Sequence, residues 1–320
     1  MIMRKTKPKS KTFYKITTLY CFTLLGFLIS NPVHSGFKSE IQPLIKRSIE
    51  NMIYLPGGTF MMGDGAFTED LAGHKTEGYW VGNYDMKPAH KVTLDGYYLS
   101  KYEVTNNEYA VYLKINGKEW PPGREPHEDY FNNYPVLVPS WYEAKNYCAW
   151  VAKVSGLPFD LPTEAQWEYA ARSGGQNYLF PTDNGKLEFG RNIKAYPDDP
   201  KIDKDYAYAP VGSNPPNPMG FHEMAANVSE WVNDWMDIKY YQHSPERNPA
   251  GPKESPYKQK QWKVTRGTSG INSNFIDRNF TTIIRGKRLP DNPTNGFRCS
   301  IQMKEKLNTK TLLKNSNYVE

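Results

Sequence analysis

Cysteine is the residue type whose number and spacing say most about the chemistry open to this chain. The 320 residues include three cysteines, Cys21, Cys148 and Cys299. Cys21 lies in an apolar run near the N-terminus, so Cys148 and Cys299 are the two thiols of the main part of the chain. Two such residues in an oxidising compartment form a disulfide more often than they stay free, and both states are open on this evidence. The sequence contains no phosphate-binding glycine loop and no Ser-His-Asp pattern.

The first 35 residues have the pattern of a secretory signal peptide. Six cations precede an apolar run from Ile16 to Ile29, and small residues follow it. The run is short for a membrane span, so we expect cleavage near Ser35, export to a periplasm or the outside, and no stable membrane insertion; an uncleaved anchor is the alternative. Lipid attachment at Cys21 is not expected, because this residue lies inside the apolar run.

The charge balance bears on the class of partner. The chain has 40 basic and 34 acidic residues, and the first 35 residues hold six of the basic ones and no acid. The rest therefore carries 34 of each sign, which does not support a nucleic-acid-binding surface. With 38% apolar and 14% aromatic residues, the chain is neither disordered nor a coiled coil as a whole.

Three helix starts can be predicted from N-cap patterns. Thr105, Ser140 and Thr163 are each followed three residues later by Glu or Gln, which is typical of a capping box. The helices are expected over 109–115, from 141 onward with Cys148 on its apolar face, and from 164 to 172. A further short helix is expected over 41–52.

Short strands separated by turn residues are predicted for most of the remainder. A Pro-Gly-Gly turn separates strands near 54 and 60, and Asp95-Gly96 is expected to join 90–94 and 97–100 as a hairpin. Further strands are expected over 263–266 and 281–285. Residues 176–218 have little periodicity, which predicts a long loop that something must hold, and 304–320 is predicted to be a polar, mobile tail.

Several motifs together resemble one family. They are Leu55-Pro56-Gly57-Gly58-Thr59-Phe60-Met61-Met62-Gly63, Glu103-Val104-Thr105-Asn106, Leu161-Pro162-Thr163-Glu164-Ala165-Gln166-Trp167-Glu168-Tyr169-Ala170, Asn227-Val228-Ser229-Glu230-Trp231 and Gly296-Phe297-Arg298-Cys299. In this order, over roughly residues 53–301, they resemble the formylglycine-generating enzyme (sulfatase-modifying factor) family. The resemblance implies an α+β fold similar to a C-type lectin, with short sheets, few helices and bound calcium. It divides the chain into a signal peptide (1–35), an N-terminal segment (36–52), the family domain (53–303) and the tail (304–320).

The resemblance also shows where this sequence departs from the family's chemistry. The founding enzymes oxidise a cysteine of sulfatases with copper and oxygen, and two cysteines after a Gly-Gly-Ser strand bind Cu(I) as soft thiolates. Asn272 and Asp277 stand at those two positions, so copper is not expected. Ser269 and Arg285 match residues of the substrate groove. The iron-dependent branch needs a His-x3-His-x-Glu set, which the six histidines do not form.

Structural calcium and a disulfide are the remaining features that the resemblance implies. The second calcium loop would use the side chains of Glu223 and Glu230 with the carbonyls of Ala226 and Val228. The first would use Asn192, the carbonyl of Ile193 and either Asp203 or Asp205. The family's disulfide matches Cys148 with Cys299.

Three functions stay open at this point. The first is an exported, monomeric, non-catalytic accessory or binding module whose remnant groove takes a peptide, a protein or a glycan. The second is a divergent periplasmic oxidase, similar to the siderophore-maturation branch, with Asp277, Ser269 and Arg285 in the groove. The third is sulfatase activation by cysteine-to-formylglycine oxidation. Family resemblance by itself does not choose among them, because one fold serves many activities.

Overall fold

The computed structural model describes residues 32–65, 84–128, 132–193, 209–268 and 280–317. These residues form a mixed α and β fold with short elements. The helices are α1 (Pro32–Glu50), α2 (Asn106–Ile115), α3 (Trp141–Ser155), α4 (Glu164–Ala171) and α5 (Thr309–Asn315). The strands are β1 (Met52–Leu55), β2 (Gly58–Met62), β3 (His90–Leu94), β4 (Tyr97–Ser100), β5 (Phe159–Asp160), β6 (Glu230–Trp235), β7 (Lys263–Arg266), β8 (Arg285–Arg288), β9 (Gly296–Phe297) and β10 (Ser300–Ile301).

The strands form two four-stranded sheets and one two-stranded ribbon. The first sheet has the order β1-β4-β10-β5, the second has the order β8-β7-β6-β9, and β2 pairs with β3. All pairs are antiparallel except β6 with β9. The second sheet matters most for the site, because α4 packs against β6 and β7.

The predicted hairpin between β3 and β4 is wrong. β3 pairs with β2 and β4 pairs with β1, in one unbroken register from Met62↔His90 to Met52↔Ser100. The two chain segments therefore form a single bent ribbon, and Asp95-Gly96 lies opposite the Pro-Gly turn at its bend. Gly57 has a φ of +77° there, and a Cβ would collide with the carbonyl oxygen of Leu94. The bend thus needs glycine at this position.

The three N-cap predictions are confirmed. The side chains of Thr105, Ser140 and Thr163 accept hydrogen bonds from the third residue of α2, α3 and α4 respectively. Thr105 and Thr163 form complete capping boxes, with the Glu or Gln side chain accepting from the cap's own N–H. Each cap satisfies backbone donors that would otherwise lack partners at a helix start.

The disulfide is present and joins α3 to the segment between β9 and β10. Cys148 on α3 and Cys299, between β9 and β10, are bonded with Cα atoms 5.8 Å apart. Both residues are buried in the larger apolar core, which α1, α2, α3 and α5 share with the first sheet. A second core lies between α4, the bent ribbon and the second sheet.

Two predicted segments differ in the structure. Residues 304–320 are not simply a mobile tail, because α5 begins at an Asn308 cap and buries Leu312 in the core that includes α1. The strand expected from 281 begins only at Arg285. Thr282 instead bonds the long loop, through its N–H to the carbonyl of Leu179 and its hydroxyl to that of Tyr178. Over its described parts, residues 176–193 and 209–218, that loop has no helix or strand.

Within the described residues, no helix is long and apolar enough to cross a membrane.

Candidate functional site

A buried network of charged side chains lies where α4 packs on the second sheet. Glu164 and Glu168 are four residues apart on α4, so both carboxylates project from one face of the helix. Arg172 caps the same helix, Arg266 ends β7, and Arg285 begins β8. Each of these five residues is at least 96% buried. The charges are therefore held in a medium where each must have a partner.

The pairing within this network is close and specific. Arg285 donates two bonds to Glu164, Nε to Oε1 at 2.8 Å and Nη2 to Oε2 at 2.6 Å. Glu168 accepts from Nη2 of Arg266 at 2.6 Å, and its other oxygen lies 2.6 Å from Nη2 of Arg172. Three guanidinium groups thus share two carboxylates. Such pairs are costly to break one partner at a time, because the remaining charge stays buried.

The same network holds the backbone of segments far apart in the chain. The Oε1 atom of Glu168 accepts the N–H of Gly63 at 3.0 Å, and Nη2 of Arg172 donates to the carbonyl of Gly63 at 3.1 Å. Nη1 of Arg285 donates to the carbonyl of Asp85 at 2.7 Å. Gly63 and Asp85 are thereby tied to one cluster although twenty-two positions separate them.

The electrostatics of the network favour its charged form. Burial raises the pKa of Glu168, but Arg172, Arg266 and the N–H of Gly63 outweigh it and hold the pKa below its ordinary value. His90 lies against Tyr241 with ring centroids 4.5 Å apart and ring planes tilted by 53°, and burial lowers the pKa of its imidazole. Because its pKa lies below the ordinary value, Glu168, which stabilises Arg172 and Arg266, stays ionised at neutral pH.

A second buried pair of titratable groups lies next to the network. Burial and the nearby Glu164 raise the pKa of Asp234 to about 7, although its carboxylate accepts the N–H of Glu164 at 2.8 Å. Burial lowers the pKa of Lys263 to about 7. The Nζ atom of Lys263 lies 3.6 Å from the ring centroid of Trp141 and 3.8 Å from that of Trp235. The two rings stabilise the ammonium form through cation–π contacts.

Of the predicted groove residues, Arg285 lies within the described part of the chain, and its guanidinium group is bonded to other residues of the protein. The N–H edges of its guanidinium group donate to Glu164 and to the carbonyl of Asp85, and its Cζ atom lies 4.6 Å from the ring centroid of Tyr241. This residue therefore organises the interior, because Nε and both terminal nitrogens of its guanidinium group each donate to a protein acceptor. Ser269, Asn272 and Asp277 lie outside the described residues.

In the predicted second calcium loop, the carboxylate of Glu230 forms an ion pair with Arg298. Both oxygens of Glu230 accept from Arg298, at 2.6 and 2.8 Å, and one also accepts the indole N–H of Trp167 at 2.9 Å. Glu223 accepts the N–H groups of Gly212 and Asn214 at 2.8 and 3.0 Å. Protein donors thus occupy both carboxylates that the prediction assigned to calcium.

The backbone of that loop nevertheless has an uncommon conformation. Glu223, Ala226 and Asn227 all have positive φ, between 50° and 63°, where residues with a Cβ are disfavoured. Glu103 also lies here, and both its oxygens accept from the side chain of Asn227. Burial, together with the nearby Glu223, raises the pKa of Glu103 well above its ordinary value.

The predicted first calcium site is described only in part. The side-chain oxygen of Asn192 accepts the N–H of Glu188 at 2.9 Å, and its nitrogen donates to Asp183 at 3.0 Å. Ile193 is buried beside it, whereas Asp203 and Asp205 lie outside the described residues. Among the residues that the structure describes, no three His, Cys, Asp or Glu side chains are grouped to hold a metal.

The charged network was not predicted from the sequence, although the sequence carries one signal of it. Glu164 and Glu168 are four residues apart on a helix with a capping box. Every residue of this helix is buried, and these two carry carboxylates. Two carboxylates on one buried helix face imply buried cations. Which arginines would meet them could not be deduced, since Arg266 and Arg285 come from strands about a hundred residues later.

Comparisons with known proteins agree with this framework. A family model described as "Sulfatase-modifying factor enzyme 1-like domain" matches residues 38–303. The chain is 27% identical to the formylglycine-generating enzyme of Mus musculus, over 83% of this chain and 78% of the mouse protein. It is 26% identical to the inactive C-alpha-formylglycine-generating enzyme 2 of Bos taurus, over 57% of this chain and 70% of that protein. The solved structure of PvdO from Pseudomonas aeruginosa matches with a TM-score of 0.61 and 26% identity, covering 79% of this chain and 94% of PvdO.

Proposed function

The chain belongs to the sulfatase-modifying factor family, the formylglycine-generating enzyme family, and from this premise we propose that it is an exported, non-catalytic member that acts as an accessory or binding module. Its ligand would be a peptide, a protein or a glycan. The proposal treats the family scaffold as retained and the copper chemistry as lost.

The number and the bonding of the cysteines are the observation that carries this proposal. Two of the three cysteines, Cys148 and Cys299, are bonded to each other and buried. The remaining one, Cys21, precedes the matched domain. Copper(I) prefers soft thiolate ligands, and the family's oxidation uses two of them. This chain has no pair of free thiols with which to build such a site, and the amide of Asn272 and carboxylate of Asp277 are poor substitutes.

The use of Arg285 gives independent support. In the structure this guanidinium group is bound on its Nε and both terminal nitrogens to Glu164 and Asp85. If Arg285 turned its Nε and Nη2 atoms to a substrate, it would lose two short charged bonds to Glu164 inside the core. The network therefore favours a scaffold role for Arg285 over a role in catalysis.

The first test is a copper(I) titration of the mature chain, combined with mass spectrometry of a Cys-x-Pro-x-Arg peptide under oxygen. We expect no tight copper binding and no loss of the peptide thiol, whereas the mouse relative serves as the positive control. The matched variant carries Asn272→Cys with Asp277→Cys. We expect this variant to bind copper(I), because it restores the two soft ligands at the positions that the resemblance gives. Turnover by the unmodified chain would overturn the proposal in favour of an enzyme.

Calcium in the loop around Glu223 is a further proposal. Three buried carboxylates, those of Glu103, Glu223 and Glu230, interact with the guanidinium group of Arg298 among the residues that the structure describes. Glu230 is bound to Arg298, whereas each oxygen of Glu223 accepts a single backbone N–H and keeps acceptor capacity, so Glu223 and the carbonyls of Ala226 and Val228 would hold the ion. Calcium would neutralise part of this excess negative charge and stabilise the folded state by mass action. If adding a chelator leaves the melting temperature unchanged, and added calcium does not raise it, this proposal is wrong.

Export is likewise a proposal, and its support is the N-terminal pattern together with the disulfide, which forms and persists in oxidising compartments. Intact mass and N-terminal sequencing of chain recovered from outside the cytosol test it. We expect a new N-terminus near Gly36.

A further inference from the structure

Two aromatic rings and several cations lie side by side where β7 begins and β8 ends. The ring centroids of Tyr257 and Trp262 are 5.2 Å apart, and Nζ of Lys287 lies 5.0 Å from the centroid of Trp262. Lys258 and Lys260 are exposed on the segment between the two rings. We call these five residues the aromatic–cationic surface.

The scaffold beneath this surface is well fixed. Trp262 packs against the second core, and its carbonyl accepts the N–H of Met236 at 2.9 Å. The hydroxyl of Tyr257 accepts the N–H of Ile238 at 3.1 Å. Lys287 lies on β8, directly opposite Val264 of β7. The rings are thus half-buried and positioned by the sheet, while the ammonium groups point to solvent.

The cations of this surface lack carboxylate partners among the described residues. Lys258, Lys260 and Lys287 form no ion pair there, in contrast to exposed lysines such as Lys91 and Lys114, whose Nζ atoms lie 2.9 and 2.8 Å from glutamates. Glu254 is the one acid within the segment 253–262. The surface therefore carries local positive charge, although the chain after its first 35 residues has equal numbers of basic and acidic residues.

We propose that the aromatic–cationic surface binds an anionic glycan, that is, a polysaccharide carrying carboxylate or sulfate groups. The planes of the two rings are 63° apart, so one sugar ring would pack its apolar face against one of these half-buried aromatic rings, and the ammonium groups would bind its acidic substituents. An acidic peptide satisfies the lysines but leaves the paired rings without a matching flat partner, so the observations favour the glycan. The inference rests on the proposed function, since it names the ligand class of a binding module.

The experiment measures binding of the full mature chain to heparin and polygalacturonate, which present sulfate and carboxylate groups respectively. Neutral dextran and polyglutamate are the comparison ligands. The test variant combines Lys258→Gln, Lys260→Gln and Lys287→Gln. The matched control combines Lys153→Gln, Lys310→Gln and Lys314→Gln, which removes the same charge from exposed positions on α3 and α5.

We expect the test variant to lose about 3- to 100-fold in affinity for at least one anionic glycan, which corresponds to about 0.6–3 kcal/mol, because three exposed charge contacts are removed. The control variant should stay within about twofold. Binding should weaken as salt rises, since exposed charges are screened. Melting temperatures of both variants should equal that of the unmodified chain, which shows that the folds are intact.

The aromatic part has its own pair of variants. Tyr257→Ala should weaken glycan binding about two- to tenfold, as expected for one lost ring contact. Tyr142→Ala, which removes a more exposed ring on α3, should leave the affinity unchanged. Binding of the glycan should also change the fluorescence of Trp262, measured against a Trp262→Phe variant.

Several outcomes overturn the inference. Equal losses in the test and control variants would mean general attraction to polyanions, and equal binding of polyglutamate would mean an acidic peptide ligand. No binding of either glycan would also refute it. These results are separable from the proposed function, because thiol oxidation by the chain would refute that function even if the glycan still bound at this surface.

Discussion

Glu168→Gln is the substitution that most directly tests the buried charge network. The change keeps the shape of the side chain and an oxygen that can accept the N–H of Gly63, and it removes one negative charge. Arg172 and Arg266, each 2.6 Å from a carboxylate oxygen of Glu168, then lose that shared carboxylate, and Arg266 keeps only its longer contact of 3.5 Å with Glu164. Their side chains are 2% and 0% exposed, so water cannot replace the lost partner.

The expected cost follows from the burial of these groups. Removing one partner from a buried ion pair costs about 3–5 kcal/mol, because the remaining charge is left uncompensated. For a domain of this size, 1 kcal/mol corresponds to a shift of about 2–4 °C in melting temperature. We therefore expect Glu168→Gln to lower the melting temperature by about 6–20 °C. The exposed helical pair Lys46 and Glu50, with atoms 3.7 Å apart, supplies the control, and Glu50→Gln should cost about 0.5 kcal/mol or less.

The assay is chemical and thermal unfolding of both variants and the unmodified chain over a range of pH. Arg172 and Arg266 hold the folded pKa of Glu168 below its ordinary value, so its contribution is present above about pH 4.3, the usual pKa of glutamate, and is lost as pH falls through the lowered folded pKa. The difference between the unmodified chain and Glu168→Gln should therefore shrink on acidification. If Glu168→Gln destabilises no more than Glu50→Gln at pH 7, the reasoning about the network is wrong.

Three further predictions concern stability. Replacing Cys148 and Cys299 by Ser should cost about 4–5 kcal/mol, since the bond spans 151 positions; a reduced sample of the unmodified chain should unfold at the same denaturant concentration as the double variant. The raised folded pKa of Asp234, about 7, makes its contribution to stability fall as pH rises from about 4 to 7; Asp234→Asn should flatten that part of the pH profile, and an unchanged profile would contradict the assignment. Gly57→Ala should destabilise by more than about 1 kcal/mol, because φ is positive and the new Cβ meets a carbonyl oxygen; Gly117→Ala, also at positive φ but with open space around it, separates the collision from the backbone strain.

In the candidate site, the sequence predicted individual residues but not the partners that they contact. The resemblance identified Arg285 as a functional position, and the structure shows that its guanidinium group is bound to Glu164 and the backbone at Asp85. The sequence motif placed Glu164 and Glu168 on a helix but gave no partner for either. Charge pairing over about a hundred residues depends on which strand ends meet a given helix, and that is a property of the folded chain.

The aromatic–cationic surface also depends on a contact between residues that are distant in the chain. The segment from Lys253 to Lys263 is visibly rich in lysine, yet nothing in it indicates that Lys287 lies beside Trp262. The antiparallel pairing of β7 with β8 brings these two residues together. A local charge count could not have distinguished this surface from an ordinary solvated loop.

By itself, the sequence determined the features that depend on neighbouring residues and on motif order. The caps at Thr105, Ser140 and Thr163 were predictable because a side-chain oxygen satisfies an N–H only three positions away. The family, the α+β fold and the pairing of Cys148 with Cys299 followed from motifs in the right order. Only the tertiary structure decided that Asp95-Gly96 bends a ribbon and does not close a hairpin, that Leu312 draws the C-terminal segment onto the core, and that Arg266 and Arg285 meet α4. In each of these cases the deciding contact is between residues distant in the chain, and burial sets its strength.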